Sequence, residues 1–129
     1  MRGAGGQAYD PRVADEKVEI VKSASSGVIG RARNSTREAA PLVLDSSTRP
    51  QPDAFTNSEA FLGSVSSCGV TLIEMYAQET GVPLQGMTAT IEGVRRPPEP
   101  RFSRVTMRFE LAGVSQAQAE ELVETYRKR

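Results

Sequence analysis

The sequence predicts an α+β domain: a meander of short strands, one long uncharged helix, a second pair of strands and a closing amphipathic helix. Three observations predict it. Val105, Met107, Phe109 and Leu111 alternate with Arg104, Thr106, Arg108 and Glu110, the period of a half-buried strand. Phe61, Val65, Cys68, Leu72, Met75 and Tyr76 recur at steps of three and four, the stripe of a packed helix. Ser115 and Gln118 form a capping box ahead of Ala119, Leu122, Val123 and Tyr126, which line a second helix.

The elements follow in order. Residues 1–16 are Gly-rich and polar, broken by Pro11, and are expected to form a flexible N-terminal arm ahead of a domain at 17–129. Lys17 to Lys22 alternates as a first strand, with Val18 and Ile20 on one side and Glu19 on the other. After Ser25-Ser26-Gly27, which reads as a hairpin turn, Val28 to Arg33 forms a second strand with Ile29, Arg31 and Arg33 on one face. Leu42-Val43-Leu44 is a third, and 46–57, with Pro50 and Pro52, is a loop. Asn57 or Ser58 caps the long helix, and Glu59 sits in its first turn, where the helix dipole favours an acid.

Away from its apolar stripe this helix carries Gly63, Ser64, Ser66, Ser67 and Gly69, and it meets no further charge until Glu74. A helix uncharged all round must be covered on several sides. A homodimer with this helix at its centre would cover it. Gly81 and Pro83 end the helix. Met87, Ala89 and Ile91 alternate with Thr88, Thr90 and Glu92 in a strand, 95–101 is a charged Pro-rich turn, and Gly113 ends the last strand. The closing helix is still running at Arg129, so a C-terminal segment is expected to be missing.

Composition removes several functions. Sixteen basic and sixteen acidic residues balance to a net charge of zero, a poor fit to nucleic acid or to an anionic membrane surface. No histidine and one cysteine exclude a zinc site of the Cys/His type and an internal disulfide, and no cofactor is expected. The charge-free apolar run from Ala60 to Ile73 falls short of the roughly 20 residues that span a bilayer. The N-terminus lacks the apolar core of a secretory signal, so a cytoplasmic location is expected.

The stretch SEAFLGSVSSCGVTLIEMYAQETGVPLQGMTATIEG resembles the central segment of the OsmC/Ohr family, the osmotically inducible and organic hydroperoxide resistance proteins. The shared order is an acid, a run of apolar and small residues, a cysteine, then a long helix ending near Gly-x-Pro-Leu. RFSRVTMRFELAGVSQAQAEELVE is similar to the family's next strand and helix start, so the resemblance covers about residues 17–129. It implies an OsmC-like fold of β-β-β-α-β-β-α order, built as an intertwined homodimer around the long helix. It also implies thiol-dependent reduction of organic hydroperoxides or hydrogen peroxide. Cys68 then matches the peroxidatic position and Glu59 the preceding acid, while Arg31 or Arg33 is the best match to the family's arginine, with Arg37 behind them. The family's resolving cysteine, which follows the second helix, has no counterpart among these residues: either a C-terminal segment is missing or this is a member without that cysteine. The partner that the resemblance implies is a thiol reductant, a dithiol or a lipoyl-type protein.

The chemistry asks for a thiolate, because the thiol is a weak nucleophile toward peroxide oxygen. A free cysteine titrates near ~8.5, and an adjacent cation lowers that value. Arg31 or Arg33 would supply the cation, and Glu59 would hold the guanidinium in a bidentate pair. Phe61, Leu72 and Met75 would wall a cleft suited to an alkyl peroxide. Spacing sets a condition: nine steps of about 100° put Glu59 and Cys68 on opposite faces of an unbroken helix. They share a site only through a kink at 63–67 or across a dimer interface. Two other readings fit the same residues. One is a non-catalytic OsmC-like domain that binds a small apolar or acyl ligand; the other is a structural dimer module whose last helix docks a partner.

Overall fold

The computed structural model describes residues 16–128, so the arm expected at 1–16 lies outside the described residues but for its last position. The chain divides into two compact units, the first ending at Asn57 and the second beginning at Ser58. Its element order is four strands, a helix, two strands and a helix. This is the expected α+β order with one two-residue strand added.

The first unit is a four-stranded sheet in the order β1 (Lys22–Ser25), β2 (Arg31–Ser35), β3 (Leu42–Asp45), β4 (Phe55–Thr56). β1, β2 and β3 are antiparallel neighbours, and β4 joins β3 in parallel from within the predicted loop. The first two strands lie further along the chain than their β-formers suggest, and the turn is the reason. Gly27 and Gly30 both take left-handed backbone, at φ 94° and 87°. The Ser26 hydroxyl accepts from the Val28 N–H and donates to the Arg31 carbonyl, closing the reversal. Pairing therefore starts at Ser25 opposite Ala32, and the turn overrides the apolar pattern in setting the register. Val18, Ile20 and Val21 precede the ladder, Val28 and Ile29 sit in the turn, and all five are exposed.

The second unit holds α1 (Asn57–Thr80), the antiparallel pair β5 (Gly86–Arg95) and β6 (Phe102–Ala112), and α2 (Gln116–Arg127). Ile73 and Ala77 of α1 and Leu122 of α2 are its buried centre. Tyr76, Met87, Phe109, Leu111, Val123 and Tyr126 pack around them. The predicted alternation holds along β5 and from Met107 onward in β6, whereas Val105 is left open. Both helix signals act as read. The Ser115 hydroxyl accepts from the Gln118 N–H while the Gln118 side chain accepts from the Ser115 N–H. At the end of α1, Gly81 turns left-handed, its N–H meets the Gln78 carbonyl, and the Val82 N–H reaches back to Ala77.

The packed face of α1 differs from the predicted stripe. The buried residues are Gly69, Ile73 and Ala77, one per turn, while Phe61, Val65, Cys68 and Met75 are exposed and Leu72 and Tyr76 are half-buried. Close approach decides this. A Cβ on Gly69 would sit 3.2 Å from the Met107 Cε and 3.3 Å from the Tyr126 Cζ, so the smallest residue marks where the helix is pressed against β6 and α2. Ile73, one turn on from Gly69, fills the centre of the core, while Phe61, Val65 and Met75 are left exposed. By length and apolar composition α1 is able to cross a membrane, a test that the core helix of a soluble protein also passes.

Candidate functional site

Arg31 opens β2 and lies directly opposite Asp45, the last residue of β3. Its Nε and Nη2 donate to the two Asp45 carboxylate oxygens at 2.7 and 3.1 Å. Nη1 and Nη2 donate to Asp53, from the following loop, at 3.2 and 2.6 Å. Asp45 is 1% exposed, so the pair is shielded on the carboxylate side. The bonds to Asp45 first and Asp53 second hold the Arg31 guanidinium above its usual range. The same bonds from Arg31 pull both carboxyls below theirs, against the desolvation that pushes them up.

Of the five N–H groups that a guanidinium owns, Arg31 thus has four engaged within this unit. One remaining N–H cannot make the bidentate pair expected with Glu59; Asp45 and Asp53 take that role. The sequence holds the signal for this in Asp45, which ends an apolar strand facing Arg31, but only the register shows it. Arg33, two residues on, is exposed and makes no ion pair among the described residues.

Glu59 and Cys68 both belong to α1, which runs as one helix through the Gly63–Ser67 stretch. Nine residues at 1.5 Å rise put them about 13 Å apart along the axis and on opposite sides of it. Cys68 is exposed, on the outward apolar side of the helix with Phe61, Val65 and Met75. The expected walls do not converge on one cavity. Met75 lines an open groove with Gln78, Val82 and Leu84, whereas Leu72 borders a small depression against Leu122 and Tyr126. Phe61 stacks on Phe102 of β6, with ring centres 6.3 Å apart.

Sequence reasoning missed Arg95, at the end of β5. Its Nη2 donates to the Ser58 hydroxyl at 2.6 Å, and its guanidinium lies 4.6 Å from the centre of the Phe102 ring. Gly93 makes room for that ring: a Cβ there would meet Phe102 at 2.6 Å and Leu62 at 3.0 Å. The stack Phe61–Phe102–Arg95 therefore forms at the start of α1 because one strand residue has no side chain. In the sequence Arg95 belongs to a charged Pro-rich turn and looks like a solvated cation.

A family model described as OsmC-like protein matches residues 50–129. No curated protein matches the sequence. Solved structures share the fold at low identity. An OsmC-like protein from Mycoplasma pneumoniae superposes with a TM-score of 0.76 at 15% identity, over 89% of this chain and 83% of that one. An organic hydroperoxide resistance protein OsmC from Legionella pneumophila, described as a predicted redox protein, gives 0.65 at 20% identity, over 87% and 83%. The organic hydroperoxide resistance protein OhrB of Bacillus subtilis gives 0.58 at 12% identity, over 87% and 84%.

Proposed function

The chain belongs to the OsmC-like protein family, and from that premise we propose that it is a thiol-dependent hydroperoxide reductase with Cys68 as its peroxidatic residue. The observation that carries this reading is the position of the thiol. It is exposed on the apolar side of α1 rather than packed with Ile73, Ala77 and Leu122 in the core, where a purely structural cysteine is commonly found.

In the proposed reaction the Cys68 thiolate attacks the outer peroxide oxygen, an S–O bond forms and the O–O bond breaks. The leaving alkoxide takes a proton and departs as the alcohol. The sulfur has given up two electrons and stands as a sulfenic acid. One thiol of a dithiol reductant condenses with it, releasing water and forming a mixed disulfide. The second thiol displaces Cys68 and leaves the reductant oxidised. Cys68 is the one cysteine among the 129 residues, so neither of the reducing thiols is among them.

We further propose that the outward face of α1 is buried by a second copy of the chain. Phe61 at 59% and Met75 at 56% exposure are too open for a stable apolar helix in water. A two-fold pairing also offers the remaining way for Glu59 of one protomer to approach the other's Cys68, given an unbroken helix. For Arg33 the proposal keeps the role of cation at the thiol; the engaged Arg31 would act by positioning the strand that carries it.

Two measurements test this. Sedimentation at micromolar concentration should return a dimer. Reduced protein mixed with cumene hydroperoxide should lose its single thiol and gain a sulfenic acid at Cys68, and Cys68→Ser should abolish peroxide consumption. An intact thiol after exposure, together with an apolar ligand carried through purification, would replace the enzyme by the acyl-binding reading.

A further inference from the structure

We propose that the Arg-rich end of the β5–β6 hairpin is a docking surface for an acidic protein, the dithiol reductant that returns Cys68 to its thiol. That the partner is the reductant rests on the peroxidase reading; that its docking face is acidic does not.

Three observations carry it. First, charge is concentrated there. The chain as a whole is neutral, yet residues 95–108 hold five arginines against one glutamate, a net charge of +4. Glu99 is tied to Arg101 at 2.9 Å, while Arg96, Arg104 and Arg108 are exposed and make no ion pair among the described residues. Second, the hairpin end is braced. Pro97, Pro98 and Pro100 each fix one backbone angle. The Glu99 N–H donates to the Arg96 carbonyl at 3.0 Å, and the Ser103 hydroxyl donates to the Val94 carbonyl at 3.1 Å. Little backbone freedom is then left to lose on docking. Third, Arg104 and Arg108 alternate with Phe109 and Leu111, which pack on the core, so they lie on the opposite face of the sheet. This surface is separate from the side of α1 assigned to a second copy.

The charge pattern selects the partner. Glu92 pairs with Thr106 across the ladder, which sets it diagonal to both Arg104 and Arg108. An unbroken run of phosphates would place a negative charge against Glu92, and like charges so placed are repelled. Thr90 and Thr106, beside the arginines, offer no apolar wedge to a bilayer. A folded acidic face meets each guanidinium with a carboxylate, in the fork geometry that arginine favours, and meets Glu92 with a donor. The reductant has to arrive and leave at every turnover, and steering by charge serves such an encounter. The step consumes the Cys68 sulfenic acid and two thiols and yields the Cys68 thiol, water and the partner's disulfide. Arg95 lies over Phe102, Phe102 stacks on Phe61, and Phe61 precedes Cys68 by seven residues, about 10 Å along the helix axis. The partner's dithiol therefore stands out on an arm or loop of about that length.

The test compares protein and small dithiols. Reduction of cumene hydroperoxide is driven by a reduced acidic lipoyl domain, by reduced thioredoxin, or by dithiothreitol. The readout is the ratio of the kcat/KM for each protein dithiol to that for dithiothreitol, which a loss of folded protein does not move. Arg96→Glu, Arg104→Glu and Arg108→Glu combined should lower that ratio by about tenfold to a hundredfold for at least one of the two protein dithiols. The corresponding glutamine variant should fall between. Raising salt from about 0.05 to about 0.5 M should lower the wild-type ratio and leave that of the charge-reversed variant level. Calorimetric titration of the Cys68→Ser protein with the same two protein dithiols reads docking without turnover, and the triple reversal should weaken it. Ratios that the reversal leaves unchanged for both protein dithiols overturn the docking surface. A DNA duplex or phosphatidylserine vesicles bound more tightly than either protein dithiol overturns the acidic partner. A Cys68 inert to peroxide, with arginine-dependent binding of an acidic dithiol protein intact, overturns the peroxidase reading and leaves the docking surface.

Discussion

Replacing Gly93 by alanine tests whether the aromatic stack at the start of α1 is held as tightly as the geometry states. Its Cβ would stand 2.6 and 2.8 Å from two carbons of the Phe102 ring and 3.0 Å from the Leu62 Cδ1. Carbon atoms pack at about 3.5–4.0 Å, so the ring must withdraw by about 1 Å. It has little freedom to do so, with Phe61 stacked on it and Arg95 over its face. Overpacking of this kind costs about 1–3 kcal/mol. Alanine in a strand recovers about 0.5–1 kcal/mol of backbone entropy relative to glycine, leaving a net loss on the order of 1–2 kcal/mol. For a domain of this size that lowers Tm by about 3–8 °C, read by circular dichroism. Because the cause is the ring, Phe102→Leu in the Gly93→Ala background should recover part of the loss, a non-additivity that two independent defects would not show. Gly93→Ala melting at or above wild type would refute the contact. Strictly additive losses would refute Phe102 as its origin.

Two further perturbations bear on the separate units. Asp45 and Asp53 titrate lower in the folded chain than a free carboxyl does, so the unfolded chain binds more protons and stability falls as the pH falls. That contribution is whole above the unfolded value near about 4 and is lost as the pH drops through the folded values. Asp45→Asn should therefore show a smaller fall in Tm between pH 6 and pH 3 than wild type, and an equal fall would count against the Arg31 cluster. In the second unit, Ile73 is 1% exposed at the centre of the packing, and Ile73→Ala should cost about 2–5 kcal/mol by urea unfolding with an unchanged m-value. A loss below about 1 kcal/mol would mean that the centre lies elsewhere.

Elements that carry their own chemistry were legible in the sequence. The α2 capping box, the Gly81 helix end and the alternation along β5 and β6 are local patterns, each decided by residues within a few positions of one another. The family resemblance, the thiol and the long helix were legible on the same terms. Contacts between residues far apart in sequence were not. Arg31 meets Asp45 and Asp53 only because the Gly27–Gly30 turn sets where β2 begins, and the strand predicted from Val18 and Ile20 fails for the same reason. Arg95 meets Ser58 across 37 residues, and the sequence between them carries no mark of it.

The long helix around Cys68 shows both sides of that division. Sequence alone determined that it would be helical, uncharged and in need of cover on more than one side, because periodicity and composition are properties of the chain itself. Tertiary structure decided which side is covered by its own unit. Gly69 faces inward where the helix comes closest to β6 and α2, and Ile73 and Ala77 follow it on the packed face, with Ile73 filling the core. Cys68, one residue before Gly69, is turned outward by that choice.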